Sequence, residues 1–397
     1  MYDVIVIGGG AAGLVAAITA RRHGASVFVC EKMPKLGKKI LVTGAGRCNL
    51  MNETLASSFY NPAGQSLVRS VLDQFGKEDI LEFFKGLGLA TYADESGRIF
   101  PVTNQAASVL KVLELELERL KVTVDLGCEI KKIQPVKPGF EVCAKTGEKE
   151  IGRKVILCAG GRSYPALGAD GNGYTLAAAL GHKILDPVPS TVALVAKDPC
   201  CHFLQGQKIR AQVTSRINGQ NIRTVSGELL FTQYGLSGTA ILDVSDEISV
   251  AFNRDHNPNV SVAADLVPFM DEAALTEELA RRFEKGVAHE NLLEGLLTHK
   301  FFLAFRAAIQ KLDASSIAHM LKHKEFKILG TRGWNEAEFT AGGIPVTEVD
   351  PVTLESRIQK GLYFAGEILD VQGRRGGYNL AWAWASGAVA VRHAVTR

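Results

Sequence analysis

The sequence lacks an excess of either charge. Lysine and arginine number 45 against 42 aspartates and glutamates, a net charge of +3 with no basic tail. That balance gives no electrostatic footprint for a nucleic-acid or acidic-membrane partner. Paired cysteines are also missing. The seven cysteines (30, 48, 128, 143, 158, 200 and 201) are odd in number, and none falls in a Cys-x-x-Cys spacing. A zinc knuckle and a redox dithiol are therefore not expected, no metal ligands are assigned, and scattered thiols fit a reducing cytoplasm. Adjacent Cys200 and Cys201 read as two thiols rather than a couple.

Long apolar runs are absent too. Val4 to Ala20 is uncharged for 17 residues, but Asp3 precedes it and Gly8-Gly9-Gly10 interrupts it; Gly376 to Val391 gives only 16. A membrane span needs about 20 residues, and a signal peptide needs a positive start. Internal repeats, heptads and low-complexity tracts are missing as well. With 46% hydrophobic and 22% charged residues, the composition is that of a globular protein. A length of 397 residues suggests two or three domains. Glycine is abundant, with 40 residues and no period, which points to many special turns.

Those glycines concentrate where chemistry can use them. Tyr2 to Ile7 reads as a buried parallel strand, Gly8-Gly9-Gly10-Ala11-Ala12-Gly13 has the G-x-G-x-x-G form, Leu14 to Arg22 reads as a helix, and Ser26 to Cys30 reads as a second strand ending at Glu31. In this order Gly8 permits a tight turn, Gly10 lets backbone approach a pyrophosphate, and Gly13 brings helix and strand together. The helix N-terminus at Ala12 stabilises phosphate charge. Glu31, 18 residues beyond Gly13, can accept the hydroxyl hydrogen bonds of an adenosine ribose, with Lys32 beside it. No second G-x-G-x-x-G follows a strand, so a permanent second dinucleotide domain is not expected.

Three further segments favour FAD over NAD as the resident dinucleotide. Leu126 to Ile130 resembles the strand that passes the adenine in two-dinucleotide-type flavoproteins. Lys154 to Gly161 resembles their later strand, closing on Ala159, Gly160 and Gly161 under the cofactor. Gly361 to Glu367 is a strand ending in Gly366 plus the acid Glu367, and Gly376-Gly377-Tyr378-Asn379-Leu380 then opens an alanine-rich helix through Val391. The positive end of such a helix would stabilise negative charge on a reduced flavin.

The run Lys35-Leu36-Gly37-Lys38-Lys39-Ile40-Leu41-Val42-Thr43-Gly44-Ala45-Gly46-Arg47-Cys48-Asn49 resembles the BaiN/YhiN-like family of bacterial FAD-dependent oxidoreductases. Gly227 to Thr232 with Gly235 to Gly238, Thr340 to Gly343, and Gly366 to Asp370 with Gly376 to Asn379 resemble it too, so the likeness spans the chain. The resemblance implies an α/β fold: a two-dinucleotide-type, glutathione-reductase-like Rossmann FAD-binding domain with an inserted β-rich domain and a small helical domain. The domains are placed at 1–189 with 344–397, at 190–258 with 324–343, and at 259–323. The resemblance also implies a reductase that draws on NAD(P)H as a transient donor and reduces a small organic substrate; the best-defined relative reduces conjugated double bonds of 3-oxo bile acids. Thr239 departs from the pattern, since proline is expected after Gly238.

On the residues themselves, Gly44 and Gly46 let backbone approach the flavin, and Lys38, Lys39 and Arg47 can meet phosphate or developing negative charge, although the two lysines also suit a solvated turn. Cys48 is a single thiol and reads as packed beside FAD rather than as a nucleophile. Further along, Asp73 to Gly86, Gln105 to Leu120 and Tyr174 to Leu180 show helical spacing, with Arg98 to Pro101 in a turn-rich stretch. Thr191 to Ala196, Gln212 to Ile217 and Glu247 to Phe252 are short β-prone runs, and Asp271 to His323 is helical. His202, Tyr234 and Tyr164 are candidates for the substrate face, and Arg374-Arg375 for an acidic group. No residue is assigned as general acid. The function expected is hydride transfer from NAD(P)H through flavin to an activated carbon–carbon double bond. An RNA-binding flavoprotein of tRNA modification and a redox sensor without turnover are the alternatives.

Overall fold

A computed structural model describes Met1–Thr396. The chain divides into two compact units, Met1–Pro187 with Phe339–Arg397, and Val188–Glu338.

The first unit is built on a sheet whose parallel strands run in the order Thr123–Leu126, Val27–Glu31, Tyr2–Ile7, Lys149–Leu157 and Leu362–Phe364. Val4, Ile5 and Val6 are fully buried, as a strand covered on both faces requires. The long strand Lys149–Leu157 has two partners on one side. Its first half pairs antiparallel with Gly139–Ala144, which continues into Ile130–Val136, and its last residues pair with Leu362–Phe364. The helices Ala11–Arg22 and Tyr378–Thr396 pack backbone to backbone: a Cβ on Gly387 would lie 2.3 Å from the carbonyl oxygen of Ala12. Arg98–Pro101, placed from sequence in a turn-rich stretch, is the middle strand of a small antiparallel sheet with Met51–Asn52 and Thr91–Ala93. Ile99 and Phe100 carry it by burying their side chains.

The second unit is an antiparallel sheet in the order Lys324–Lys327, Val260–Asp265, Lys208–Ile217, Gln220–Thr232, Gly235–Ser237, Leu194–Val195 and Gly330–Thr331. The helices Thr239–Ser249, Glu272–Glu284, His299–Ile309 and Ala314–Lys322 share one apolar core with it. This sharing is why the helical segment does not stand apart as the separate domain expected from sequence. The return segment Phe339–Gly343 belongs to the first unit, not to the inserted one. Glu247 to Phe252, read as β-prone, is helical: Ile241, Val244 and Ile248 recur at helical spacing and are fully buried. Thr239, where proline was expected, is the first residue of that helix, and its hydroxyl accepts the Glu228 N–H at 3.0 Å. No described helix is long and apolar enough to cross a membrane.

Candidate active site

In the first unit, the expected cofactor residues come together at the carboxyl ends of the parallel strands. The Gly8–Gly13 loop follows Tyr2–Ile7, Glu31 ends Val27–Glu31, Ala159 to Gly161 follow Lys149–Leu157, and Gly366 and Glu367 follow Leu362–Phe364. Ile130 opens the strand after Thr123–Leu126. The chain runs outward from Tyr2–Ile7 to Val27–Glu31 and Thr123–Leu126, then returns to the other flank at Lys149–Leu157. The Gly8 and Ala159 loops therefore leave the sheet at a topological switch point, where open α/β sheets place their ligands.

The local backbone explains the glycines. Gly8 has φ +108°, and a Cβ there would lie 2.5 Å from the Cys158 carbonyl oxygen; at Gly13 it would lie 1.9 Å from the Gly8 oxygen. By contrast, a Cβ on Gly10 would meet nothing within 4 Å. Open space thus faces the start of the helix Ala11–Arg22. No side chain caps that helix, so its first N–H groups have no intrahelical partner and the positive end of its dipole is available to an anion.

Glu31 is nearly buried, and its position differs from a free ribose acceptor. Oε2 accepts the Gly9 N–H at 2.6 Å and Oε1 the Met33 N–H at 2.7 Å. The carboxylate thus shapes the glycine loop as well as presenting its remaining lone pairs. Lys32 is committed to Asp170, with Nζ 2.5 Å from Oδ1. Asn172 donates to the Ile130 carbonyl at 3.0 Å and fixes the neighbouring turn.

A polar network that spacing could not reveal joins four distant segments. Lys39 Nζ donates to Ser163 Oγ at 2.5 Å and to Glu367 Oε2 at 2.7 Å, while Glu367 Oε1 accepts the Thr340 N–H at 2.9 Å. Thr340 Oγ1 in turn accepts the N–H groups of Arg162 and Ser163, at 2.8 and 3.2 Å, just past Gly160 and Gly161. The lysine and acid expected at the cofactor therefore face each other as an ion pair.

The Lys35–Asn49 run forms a tight loop with a 3-10 segment at Ile40–Gly46, and Gly44, Ala45, Gly46 and Cys48 all have positive φ. The Arg47 guanidinium lies 4.5 Å over the Phe100 ring. Cys48 is fully buried, and burial pushes its thiol up to about 12, so it is protonated at neutral pH and behaves as packing. Among the described residues, Asn49 Oδ1 and Gln372 Oε1 are buried acceptors without a partner. Such groups are costly unless a donor fills them.

At the other chain end, Gly377 (φ +102°) lets the start of the C-terminal helix press on Met51, where a Cβ would lie 2.5 Å from the carbonyl carbon. Tyr378 stacks on Phe59 at 4.5 Å, and Asn379 clamps its own loop through Gly373 N–H and C=O at 2.8 and 2.7 Å. Leu380 follows, half-buried, in the first turn. Arg374 lies over Phe59 at 5.6 Å. Of the substrate-face candidates, Tyr164 holds a left-handed backbone (φ +57°) in the first unit. In the second unit His202 is exposed, and Tyr234 lies 4.5 Å beneath the Arg332 guanidinium.

An open cradle of glycine backbone, an uncapped helix, an acid at the second strand and unpartnered buried acceptors fit a dinucleotide and define a Rossmann-type flavoprotein unit. The comparisons agree. The model of the HI0933-like protein Rossmann domain matches residues 2–393, and the chain belongs to that family. It is a flavin oxidoreductase whose cofactor is FAD. The chain is 37% identical to the 3-dehydro-bile acid delta(4,6)-reductase of Clostridium scindens, covering 100% of both chains. It is 30% identical to the ribosomal RNA dihydrouridine synthase of Escherichia coli, covering 97% of this chain and 96% of the relative. The 3-ketosteroid delta1-dehydrogenase structure from Sterolibacterium denitrificans shares the fold at a TM-score of 0.53 and 14% identity, covering 100% of this chain and 99% of that one.

Proposed function

We propose that this protein is an FAD-dependent reductase that takes hydride from NAD(P)H and delivers it to a carbon–carbon double bond conjugated to a carbonyl on a small organic molecule. The observation that carries the reading is the full-length similarity to a reductase whose name specifies such bonds. Bound FAD supplies the two-electron relay between donor and acceptor.

The chain's own residues hold and polarise. Gly8, Gly10 and Gly13 admit a pyrophosphate, and the uncapped start of Ala11–Arg22 offsets its charge. Glu31 keeps the loop in register through Gly9 while meeting a ribose. Lys39 and Glu367 fix each other, so that the lysine's positive charge and the Gly160–Gly161 turn are preorganised before any ligand arrives. Gly377, Tyr378, Asn379 and Leu380 form the positive end of the C-terminal helix, which would offset negative charge on a reduced flavin held there.

Relatives named ribosomal RNA dihydrouridine synthases favour a second reading, because the uracil double bond is also conjugated to a carbonyl. The charge pattern weighs against it: residues 188–338 carry 16 lysines and arginines against 18 acids. Anaerobic mixing with NADH and then NADPH is expected to bleach the flavin, and a conjugated 3-oxo steroid enone is expected to restore its colour. Bound flavin that neither nucleotide reduces would refute the donor. Reoxidation by ribosomal RNA and not by enones would move the acceptor to the second reading.

A further inference from the structure

Outside the cofactor residues, the second unit holds a cluster to which nothing above assigns a role. The helix Glu272–Glu284 opens on Glu272, and the helix Ala314–Lys322 carries His319 in its last turn and His323 as its C-cap. The two histidines are four residues apart, about one turn, and so share a face. Glu272 Oε1 lies 2.9 Å from His319 Nδ1, and Oε2 lies 2.8 Å from His323 Nε2; one donor atom from each residue falls within 4.8 Å of the other two.

We propose that Glu272, His319 and His323 bind a borderline divalent transition metal, Zn2+ or its neighbours Co2+, Ni2+ and Cu2+, which staples these two helices together. Two imidazoles and one carboxylate form a donor set suited to such ions, whereas Mg2+ and Ca2+ require oxygen. Zinc bonds of about 2.0–2.2 Å place neighbouring ligands roughly 3.4 Å apart, so the two Glu272–histidine spacings need open by only about half an ångström, while the spacing between the histidine donors stays within 4.8 Å.

The scaffold on both sides is rigid. Leu275 and Leu279 of one helix and Ile317, Ala318 and Leu321 of the other are fully buried in a common core. Lys322 Nζ pairs with Asp265 at 2.6 Å and also donates to the carbonyls of Val267 and Met270, tying the second helix to the segment that leads into the first. Lys322 and Lys324, which flank His323 in sequence, are each paired with an acid, Asp265 and Asp198, at 2.6 Å. Asp271 caps the first helix through the Ala274 N–H, which leaves the Glu272 carboxylate to the two histidines. A cation at the end of the second helix is also favoured by that helix's dipole. Three protein donors leave at least one position for water, so the site would stay in exchange with solution rather than close like a structural zinc centre.

The alternative is a hydrogen-bonded tie that takes no ion. Full-length, tag-free protein treated with a chelator and titrated calorimetrically with ZnCl2 separates the two. We expect one ion per chain, no heat with MgCl2, and a melting midpoint that rises with Zn2+ concentration. His319→Ala, His323→Ala and Glu272→Gln should each weaken zinc at least about tenfold, with far-UV circular dichroism and flavin spectrum unchanged. Equal zinc affinity in the His319→Ala/His323→Ala double variant would overturn the proposal, as would absence of binding to the wild type at millimolar zinc.

Discussion

In the first unit, the groups that matter sit on loops at strand ends and are held by partners far away in sequence, as Lys39 is by Glu367. The second is organised by packing: Phe231 meets Phe301 and Phe326 edge to face in a core that buries all three completely. One polar group of this unit is tied to backbone rather than turned toward a ligand. Asp246, half-buried, accepts Ser190 Oγ and the Thr191 N–H, both at 2.6 Å, which holds Thr191 at φ +52°. A unit that cradles a charged ligand must spend unusual residues on backbone shape, whereas a unit that packs a sheet needs only apolar volume at the right period.

Breaking each region separately should expose that contrast. Phe231→Ala removes the centre of the second core and is expected to cost about 3–5 kcal/mol in denaturant unfolding, while folded molecules keep their flavin spectrum. Gly13→Val forces a side chain onto the Gly8 carbonyl; it is expected to cost about 3 kcal/mol and to abolish flavin retention as well. If Phe231→Ala stripped flavin from folded protein, or if Gly13→Val kept it, the division of labour would be wrong.

The difference also governs what could be read in advance. The strand, glycine loop, helix, second strand and Glu31 were legible because Gly8 and Gly13 have no substitute that fits. Gly361 to Glu367 was legible for a similar reason. The role of Glu31 in holding Gly9 and Met33 was not, because those hydrogen bonds leave no mark on spacing. Nor was the network of residues 39, 163, 340 and 367, whose members only the sheet topology brings together. Glu247 to Phe252 misled because short apolar runs suit strand and helix alike, and packing of Val244 and Ile248 decided between them. In the Arg98–Pro101 strand, four residues are too few for periodicity to show.

Lys39→Ala leaves Glu367 without its cation; because both side chains are partly exposed, the expected effect is about 1 kcal/mol, seen as roughly fivefold weaker FAD binding by fluorescence quenching. Unchanged affinity would remove the pair from the cofactor site.

Acid should act oppositely on the two units. In the first, buried His182 bridges Glu348 and Ser356 at 2.8 Å each, and burial holds its imidazole below the ordinary value near 6.5. The unfolded chain binds that proton more readily, so this stabilisation is present above about pH 6.5 and is lost as pH falls. In the second, burial pushes the Asp246 carboxyl above its ordinary 3.8. The folded state there binds the proton more readily, so this contribution grows on acidification and is lost as pH rises through the raised value. Melting midpoints between about pH 5 and pH 8 should therefore fall less steeply on the acid side for His182→Gln than for wild type. Parallel curves would show that the histidine does not titrate differently on unfolding.

FAD is expected to bind at the strand-end glycines of the first unit. Flavin content of the purified full-length chain, compared with that of Gly13→Val at matched circular dichroism, tests it most directly. We expect stoichiometric FAD with its visible absorption bands in the wild type and little or none in the variant. A wild type that binds no FAD, or a folded variant that binds it as well as wild type, would show that these glycines do not hold the cofactor.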